Sequence, residues 1–269
     1  MARDPGRPLR VVQFSDCHLF ASTDGKLLGL NTEDSLNRVL DLIAKEQKAM
    51  DLLLATGDLS QDASPAAYAR LLHKLERFGK VPCYWLEGNH DVTEPMRDAL
   101  PDPDKLSPCL VRLPGWDIVM LDSTIPHEVP GFLHDDDIEF LEASLKAAGN
   151  RHVLVCLHHQ PVPMGCKWLD TQIVGDADRF FEVIDRYSNV RAVIWGHVHQ
   201  EFDGERKGVK LWSVPSTCVQ FKPHSEDFAV DDAAPGYRWL DLHADGHITT
   251  GVSRVQGIKF EVDFSVKGY

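Results

Sequence analysis

No Cys-x-x-Cys pair occurs among the six cysteines of this 269-residue sequence, and Cys17, Cys83, Cys109, Cys156, Cys166 and Cys218 form no dense framework. Several lie in apolar runs, where a buried free thiol is usual, so a disulfide scaffold is not expected and a reducing compartment fits best. Basic charge is also scarce: 28 Lys and Arg stand against 41 Asp and Glu, a formal net charge of -13. That balance argues against a nucleic-acid partner, because holding a run of phosphates needs clustered Lys and Arg. Purely aliphatic runs are far too short to span a bilayer, and Met1-Ala2-Arg3-Asp4-Pro5-Gly6 lacks the apolar stretch of a secretory leader. The expectation is a cytoplasmic globular chain with no membrane partner.

What is present is ordinary globular material, 43% hydrophobic and 26% charged. Strand-like runs at Val11 to Phe14, Leu52 to Thr56, Val81 to Leu86, Val153 to Leu157 and Ala192 to Trp195 alternate with helix-like segments. Leu36, Val39, Leu40 and Ile43 recur at helical spacing after Thr32, and Ser64-Pro65 supplies an N-cap and a first-turn proline ahead of Tyr68, Leu71, Leu72 and Leu75. Cys109 to Leu113 and Asp117 to Leu121 read as a hairpin around Pro114-Gly115-Trp116, and Ile138, Leu141 and Leu145 mark a helix ending near Gly149. This pattern predicts an α/β architecture with buried sheets. Length alone allows one large or two modest domains, but nothing forces a boundary, so the chain is read as one domain, 1–269. Within it, 10–200 carries the chemistry, 201–254 holds closing strands and loops, and 255–269 is a tail.

The informative feature is the polar segment at the end of each apolar run: Ser15-Asp16-Cys17-His18, Gly57-Asp58, Gly88-Asn89-His90-Asp91, His158-His159 and Gly196-His197-Val198-His199. In α/β sheets, ligands bind beyond the carboxyl ends of the strands, so five distant pieces are expected to meet in one crevice. In extended chain, residues i and i+2 point to the same side, which would let Asp16 and His18 reach one ion while Cys17 faces away, and would pair His197 with His199. Gly57, Gly88 and Gly196 are expected to permit tight turns. Carboxylate, amide and imidazole without thiolate suit iron, manganese, zinc or cobalt more than calcium. Singly, each piece is an ordinary turn or cap; five in order, each at a strand end, are hard to explain that way.

The ordered set D-x-H, G-D, G-N-H-[DE], H and G-H-x-H resembles the signature of calcineurin-like metallophosphoesterases. It is carried here by Asp16-Cys17-His18, Gly57-Asp58, Gly88-Asn89-His90-Asp91, His158 and Gly196-His197-Val198-His199. Beyond it, Pro215-Ser216-Thr217-Cys218-Val219-Gln220-Phe221-Lys222-Pro223-His224 and Ala234-Pro235-Gly236 are similar to the bacterial class III cyclic AMP phosphodiesterases, as are Leu27 to Thr32 and His158-His159-Gln160-Pro161. The resemblance implies a four-layer α/β/β/α sandwich with two divalent metal ions, iron or manganese first, zinc or cobalt as alternatives. It implies that Asp16, His18 and His199 hold one ion, that Asn89, His158 and His197 hold the other, and that Asp58 bridges them. The residues alone leave open which of His158 and His159 turns inward; the family pattern assigns His158. The implied substrate contacts are His18, Asp58, Asn89, His90, His158 and His199.

The activity so implied is hydrolysis of 3′,5′-cyclic AMP to 5′-AMP by a hydroxide that the two ions activate, with the phosphoryl oxygens clamped for in-line displacement. His90 would stabilise the phosphate or protonate the 3′ leaving oxygen, and Asp91 either orients His90 or serves the turn. A base platform has four loop candidates, Phe20, Trp168, Phe221 and His224, against ordinary packing for each. His73, His127, His134, His152, His243 and His247 are read as surface or satisfied core histidines. Alternatives are a broader phosphodiesterase acting on glycerophosphodiesters or other cyclic nucleotides, and a non-catalytic metal-binding scaffold. A barrel amidohydrolase is disfavoured because its H-x-H comes early, whereas His197-Val198-His199 comes late.

Overall fold

In the computed structural model the described residues are 6–268, so the reading of Met1–Pro5 and the last residue of the tail, Tyr269, lie outside them. Eleven strands of four or more residues occur there: β1 (Leu9–Phe14), β2 (Leu52–Thr56), β3 (Cys83–Leu86), β4 (Cys109–Leu113), β5 (Trp116–Met120), β6 (His152–Cys156), β7 (Val190–Trp195), β8 (Phe202–Arg206), β9 (Val209–Ser213), β10 (Gly236–Leu242) and β11 (Ile248–Arg254). Five helices accompany them: α1 (Thr32–Glu46), α2 (Pro65–Leu75), α3 (Thr93–Ala99), α4 (Asp135–Ala148) and α5 (Ala177–Ile184). One sheet has the order β11-β10-β1-β2-β3 and the other β8-β9-β7-β6-β5-β4. Strands β1, β2 and β3 run parallel in the first sheet, and β5, β6, β7 and β9 in the second.

Period-two alternation decides which face each side chain serves. Leu9 and Val11, Leu52 and Leu54, Leu154 and Cys156, and Ala192 and Ile194 pack together between the two sheets. Their neighbours Val12, Phe14, Leu53 and Ala55 face the other way, onto Leu36, Leu40, Tyr68 and Leu71 of α1 and α2. Val153, Val155, Val193 and Trp195 likewise meet Leu141, Leu145, Phe180 and Ile184 of α4 and α5. The result is the expected four layers, α/β/β/α.

Local signals act where the sequence puts them. The Asn31 carboxamide caps α1 by accepting from Asp34 N at 2.7 Å, and the Ser64 hydroxyl caps α2. The two-residue turn Pro114-Gly115 joins β4 to β5, with Trp116 already inside the strand. Two elements lie beyond the sequence reading: α3, a seven-residue helix containing Pro95, and the edge strand β8, whose residues Phe-Asp-Gly-Glu-Arg have little strand character. No helix among the described residues is long and apolar enough to cross a membrane.

Candidate active site

Every residue that the motif reading singles out lies just beyond the carboxyl end of a parallel strand: Asp16 and His18 after β1, Asp58 after β2, Asn89 and His90 after β3, His158 after β6, His197 and His199 after β7. Both sheets therefore contribute, and backbone hydrogen bonds tie the loops together. Asp16 N donates to Gly57 O and His18 N to Asp58 O, each at 2.9 Å, and Gly196 N donates to His158 O at 3.1 Å. Across the sheets, His197 N donates to Asp16 Oδ1 at 3.1 Å.

The side chains converge by a route the extended-chain argument does not give. Asp16, His18, Asp58, His197 and His199 all have left-handed backbone, with φ of 56°, 45°, 50°, 62° and 47°. Non-glycine residues seldom adopt this region, and its concentration here marks backbone strain gathered at a functional site. Cys17 does face away, buried in the core beside α1 and α2. Of the three motif glycines, only Gly57, with φ of 98°, needs glycine's freedom. Gly196 is required for space instead, since a Cβ there would lie 2.1 Å from Ser15 Oγ and 2.8 Å from Thr56 O.

Two clusters of ring nitrogens and carboxylate oxygens share Asp58. His18 Nε2 lies 3.7 Å and His158 Nε2 3.4 Å from Asp58 Oδ2, and His199 Nε2 lies 3.3 Å from Asp16 Oδ1. The opposite ring edges are already engaged: His18 Nδ1 donates to Gln61 Oε1 at 2.6 Å, His158 Nδ1 to Thr56 O at 2.8 Å and His199 Nδ1 to Val219 O at 2.8 Å. Such acceptors fix the neutral tautomer, with the ring's lone pair on Nε2. His18 Nε2 and His199 Nε2 then face each other at 3.2 Å with no proton between them in their neutral forms. Burial moreover holds the His18 ring neutral, its pKa lowered to about 3 despite the nearby Asp58 charge. At His158, burial opposes protonation but Asp58 outweighs it and the pKa rises to about 9, so at this ring a cation on Nε2 takes the place of a proton that faces Asp58.

Four atoms of this cluster are buried without a hydrogen-bond partner: Asp16 Oδ2, Asn89 Oδ1, His158 Nε2 and His197 Nδ1. Buried polar atoms are normally satisfied, so four orphans around two facing lone pairs are what an assembly built for cations looks like. The donor set fits two divalent ions, since one ligand atom each of Asp16, Asp58 and His158 lie within 4.8 Å of one another, as do those of His18, Asp58 and His90, of His18, His199 and Cys218, and of His158, His159 and His197. His159 belongs to one of these groups, but both its ring nitrogens are engaged. Its Nδ1 meets Ser123 Oγ at 2.9 Å and its Nε2 meets Val129 O at 3.0 Å.

Asp91 serves the turn. Its carboxylate accepts from Leu59 N, Ser60 N and Gly88 N at 3.0, 3.0 and 3.1 Å and from Tyr68 Oη at 2.9 Å, fastening the loop after β2 to the loop after β3. The neighbour of His90 is Gln61, whose Nε2 lies 3.3 Å from His90 Nδ1. Gln61 and Gln172, whose Oε1 lies 3.0 Å from His197 Nε2, are positioning residues that the sequence reading missed. The only available signal was Gln61's place three residues after Asp58. Of the four base-platform candidates, Trp168 and Phe221 border the cavity beside Asn89, His90 and His197, together with Phe228, and Phe20 and His224 do not. Phe20 packs over Gly25 instead.

A family model described as calcineurin-like phosphoesterase matches residues 9–201, a span that includes all five motif blocks. The 3′,5′-cyclic adenosine monophosphate phosphodiesterase CpdA of Pseudomonas aeruginosa is 46% identical over 259 residues, covering 96% of this chain and 94% of that protein. The protein of the same description from Escherichia coli (strain K12) is 43% identical over 263 residues, covering 97% and 95%. Among solved structures, a dimetal phosphatase from Danio rerio aligns with a TM-score of 0.62 at 13% identity over 93% of this chain and 100% of that one, a likeness of fold alone.

Proposed function

The chain belongs to the calcineurin-like phosphoesterase family, and on that premise we propose that it is a metal-dependent phosphodiesterase that hydrolyses 3′,5′-cyclic AMP to 5′-AMP and so lowers intracellular cyclic AMP. The observation that carries this reading is likeness to cyclic AMP phosphodiesterases over nearly the whole length of both chains, well past residue 201 where the family match ends.

The family uses a dinuclear metal site. In this chain the proposed ligands are Asp16, His18 and His199 for one ion and Asn89, His158 and His197 for the other, with Asp58 shared. Three observations support that division: the facing Nε2 lone pairs of His18 and His199, the orphaned Asn89 Oδ1, His158 Nε2 and His197 Nδ1, and the place of Asp58 Oδ2 between His18 and His158. His158 rather than His159 is the ligand because only His158 has an uncommitted ring nitrogen. Oxygen and imidazole donors suit iron or manganese, with zinc or cobalt as substitutes. When bound, two divalent ions supply an activated water at neutral pH and offset the charge of the phosphoryl oxygens.

The chain's own groups hold the substrate and move a proton. His18, Asp58, Asn89, His90, His158 and His199 surround the phosphate position. Gln61 Oε1 is taken by the His18 Nδ1 proton, so the amide nitrogen of Gln61 points at His90 Nδ1 and donates to it. The His90 proton therefore resides on Nε2, the atom from which it can pass to the 3′ oxygen as the P–O bond breaks. The His90 amide donates to Asp58 Oδ1 at 2.9 Å, which fixes the ring's backbone to the same carboxylate. The acid excess disfavours nucleic acid or an anionic bilayer as partner, and six free cysteines fit the cytoplasm.

Chromatography of products from cyclic AMP, cyclic GMP, glycerophosphocholine and bis-nitrophenyl phosphate tests the assignment. Formation of 5′-AMP from cyclic AMP is expected; robust turnover of another diester with none of cyclic AMP would reject it.

A further inference from the structure

Beside the ligand cluster lies a cavity of about 200 Å³ whose lining combines polar and aromatic side chains. Its lining includes Asn89, His90 and His197 together with Trp168, Phe221 and Phe228. Sites that engulf a whole small molecule run to roughly 300–1,000 Å³, so this cavity has the size of a subsite. The aromatic cluster is braced: Trp168 meets Phe221 and Phe228 edge to face, each at 5.0 Å, and Phe221 lies flat on the His199 ring at 4.2 Å with 7° between planes. The Trp168 indole N–H is taken by Ser225 Oγ at 3.2 Å, so this side chain offers the cavity an apolar ring surface. Phe221 is buried, whereas Trp168 and Phe228 keep part of their surface exposed.

We infer that Trp168 and Phe228 form the platform that takes the purine base, Phe221 tying it to the metal-ligand cluster. The inference rests on the cyclic nucleotide reading and deepens it. A cyclic nucleotide has an anionic end and a flat aromatic end, and the cavity is lined by proposed metal ligands and by an aromatic cluster that stacks on another of the ligands, His199. Stacking on an aromatic side chain recognises a base by its π-face, so the platform confers preference for nucleotides over diesters that lack a base.

The test compares Trp168→Ala, Phe228→Ala and Trp168→Phe in the metal-loaded full chain, reading KM and kcat for cyclic AMP and the Ki of orthophosphate, which has no base. Loss of base stacking on alanine substitution predicts a roughly 5- to 150-fold rise in KM. The phosphate Ki should stay put, and Trp168→Phe should keep most of the affinity. KM unmoved in both alanine variants, or KM and phosphate Ki rising together, would overturn the platform. If the parental chain fails to turn over cyclic AMP at all, the functional reading itself falls, which is a separate result.

Discussion

Asp91 sits inside the most recognisable motif of the chain, yet its geometry makes it a fastener of loops. Its two carboxylate oxygens accept four hydrogen bonds, from Leu59 N, Ser60 N, Gly88 N and Tyr68 Oη. Asp91→Asn can keep its oxygen toward Leu59 N and Gly88 N and turn its amide N–H toward Ser60 N and Tyr68 Oη; the hydroxyl can accept, so one buried donor, Ser60 N, is left facing an N–H group. A buried donor left unsatisfied costs about 1–3 kcal/mol, which is the loss expected of the variant. For a chain of this size, one kcal/mol moves the midpoint by about 2–4 °C, giving a fall of roughly 2–12 °C. Tyr68→Phe, which removes one donor and leaves Asp91 three, should lower the midpoint by less. Thermal unfolding followed by circular dichroism, with turnover measured on the same preparations, is the assay. Turnover lost with the midpoint unmoved would refute the reasoning and return Asp91 to a role in orienting His90.

Asn89→Ala and His90→Ala should both cut turnover sharply, but only Asn89→Ala should reduce bound metal; equal metal loss by elemental analysis would refute the division of roles. His158→Ala should likewise lower metal content, whereas His159→Ala, which removes a ring bound to Ser123 and Val129, should lower the unfolding midpoint and keep the metal. Gly196→Ala places a Cβ 2.1 Å from Ser15 Oγ and 3.1 Å from Asp16 Oδ2, so it should cost about 1–3 kcal/mol and displace Asp16. Retained metal and midpoint in Gly196→Ala would show that the loops can yield.

Buried sheets were legible because strands such as Leu52 to Thr56 are apolar on both faces, a pattern that a sheet covered on both sides requires, whereas their stacking in four layers was implied by the family resemblance alone. The site was legible because its side chains cluster at strand ends, a topological property that survives errors of a residue or two in element bounds. What the sequence hid depends on contacts across the sheets. Nothing in two adjacent histidines says which one meets Thr56 O and which one meets Ser123 and Val129. The left-handed backbone of Asp16 and His18 is imposed by hydrogen bonds to the loop after β2, not by local propensity. Edge strand β8 was missed because its glycine and charged residues suit an exposed edge and carry no apolar alternation.

The central claim is that seven side chains from both sheets enclose a pair of cations. Anomalous diffraction from crystals of the manganese-loaded chain tests it most directly: two peaks are expected, one among Asp16, His18 and His199, one among Asn89, His158 and His197, with Asp58 reaching both. A single peak, peaks elsewhere or no bound scatterer would contradict it.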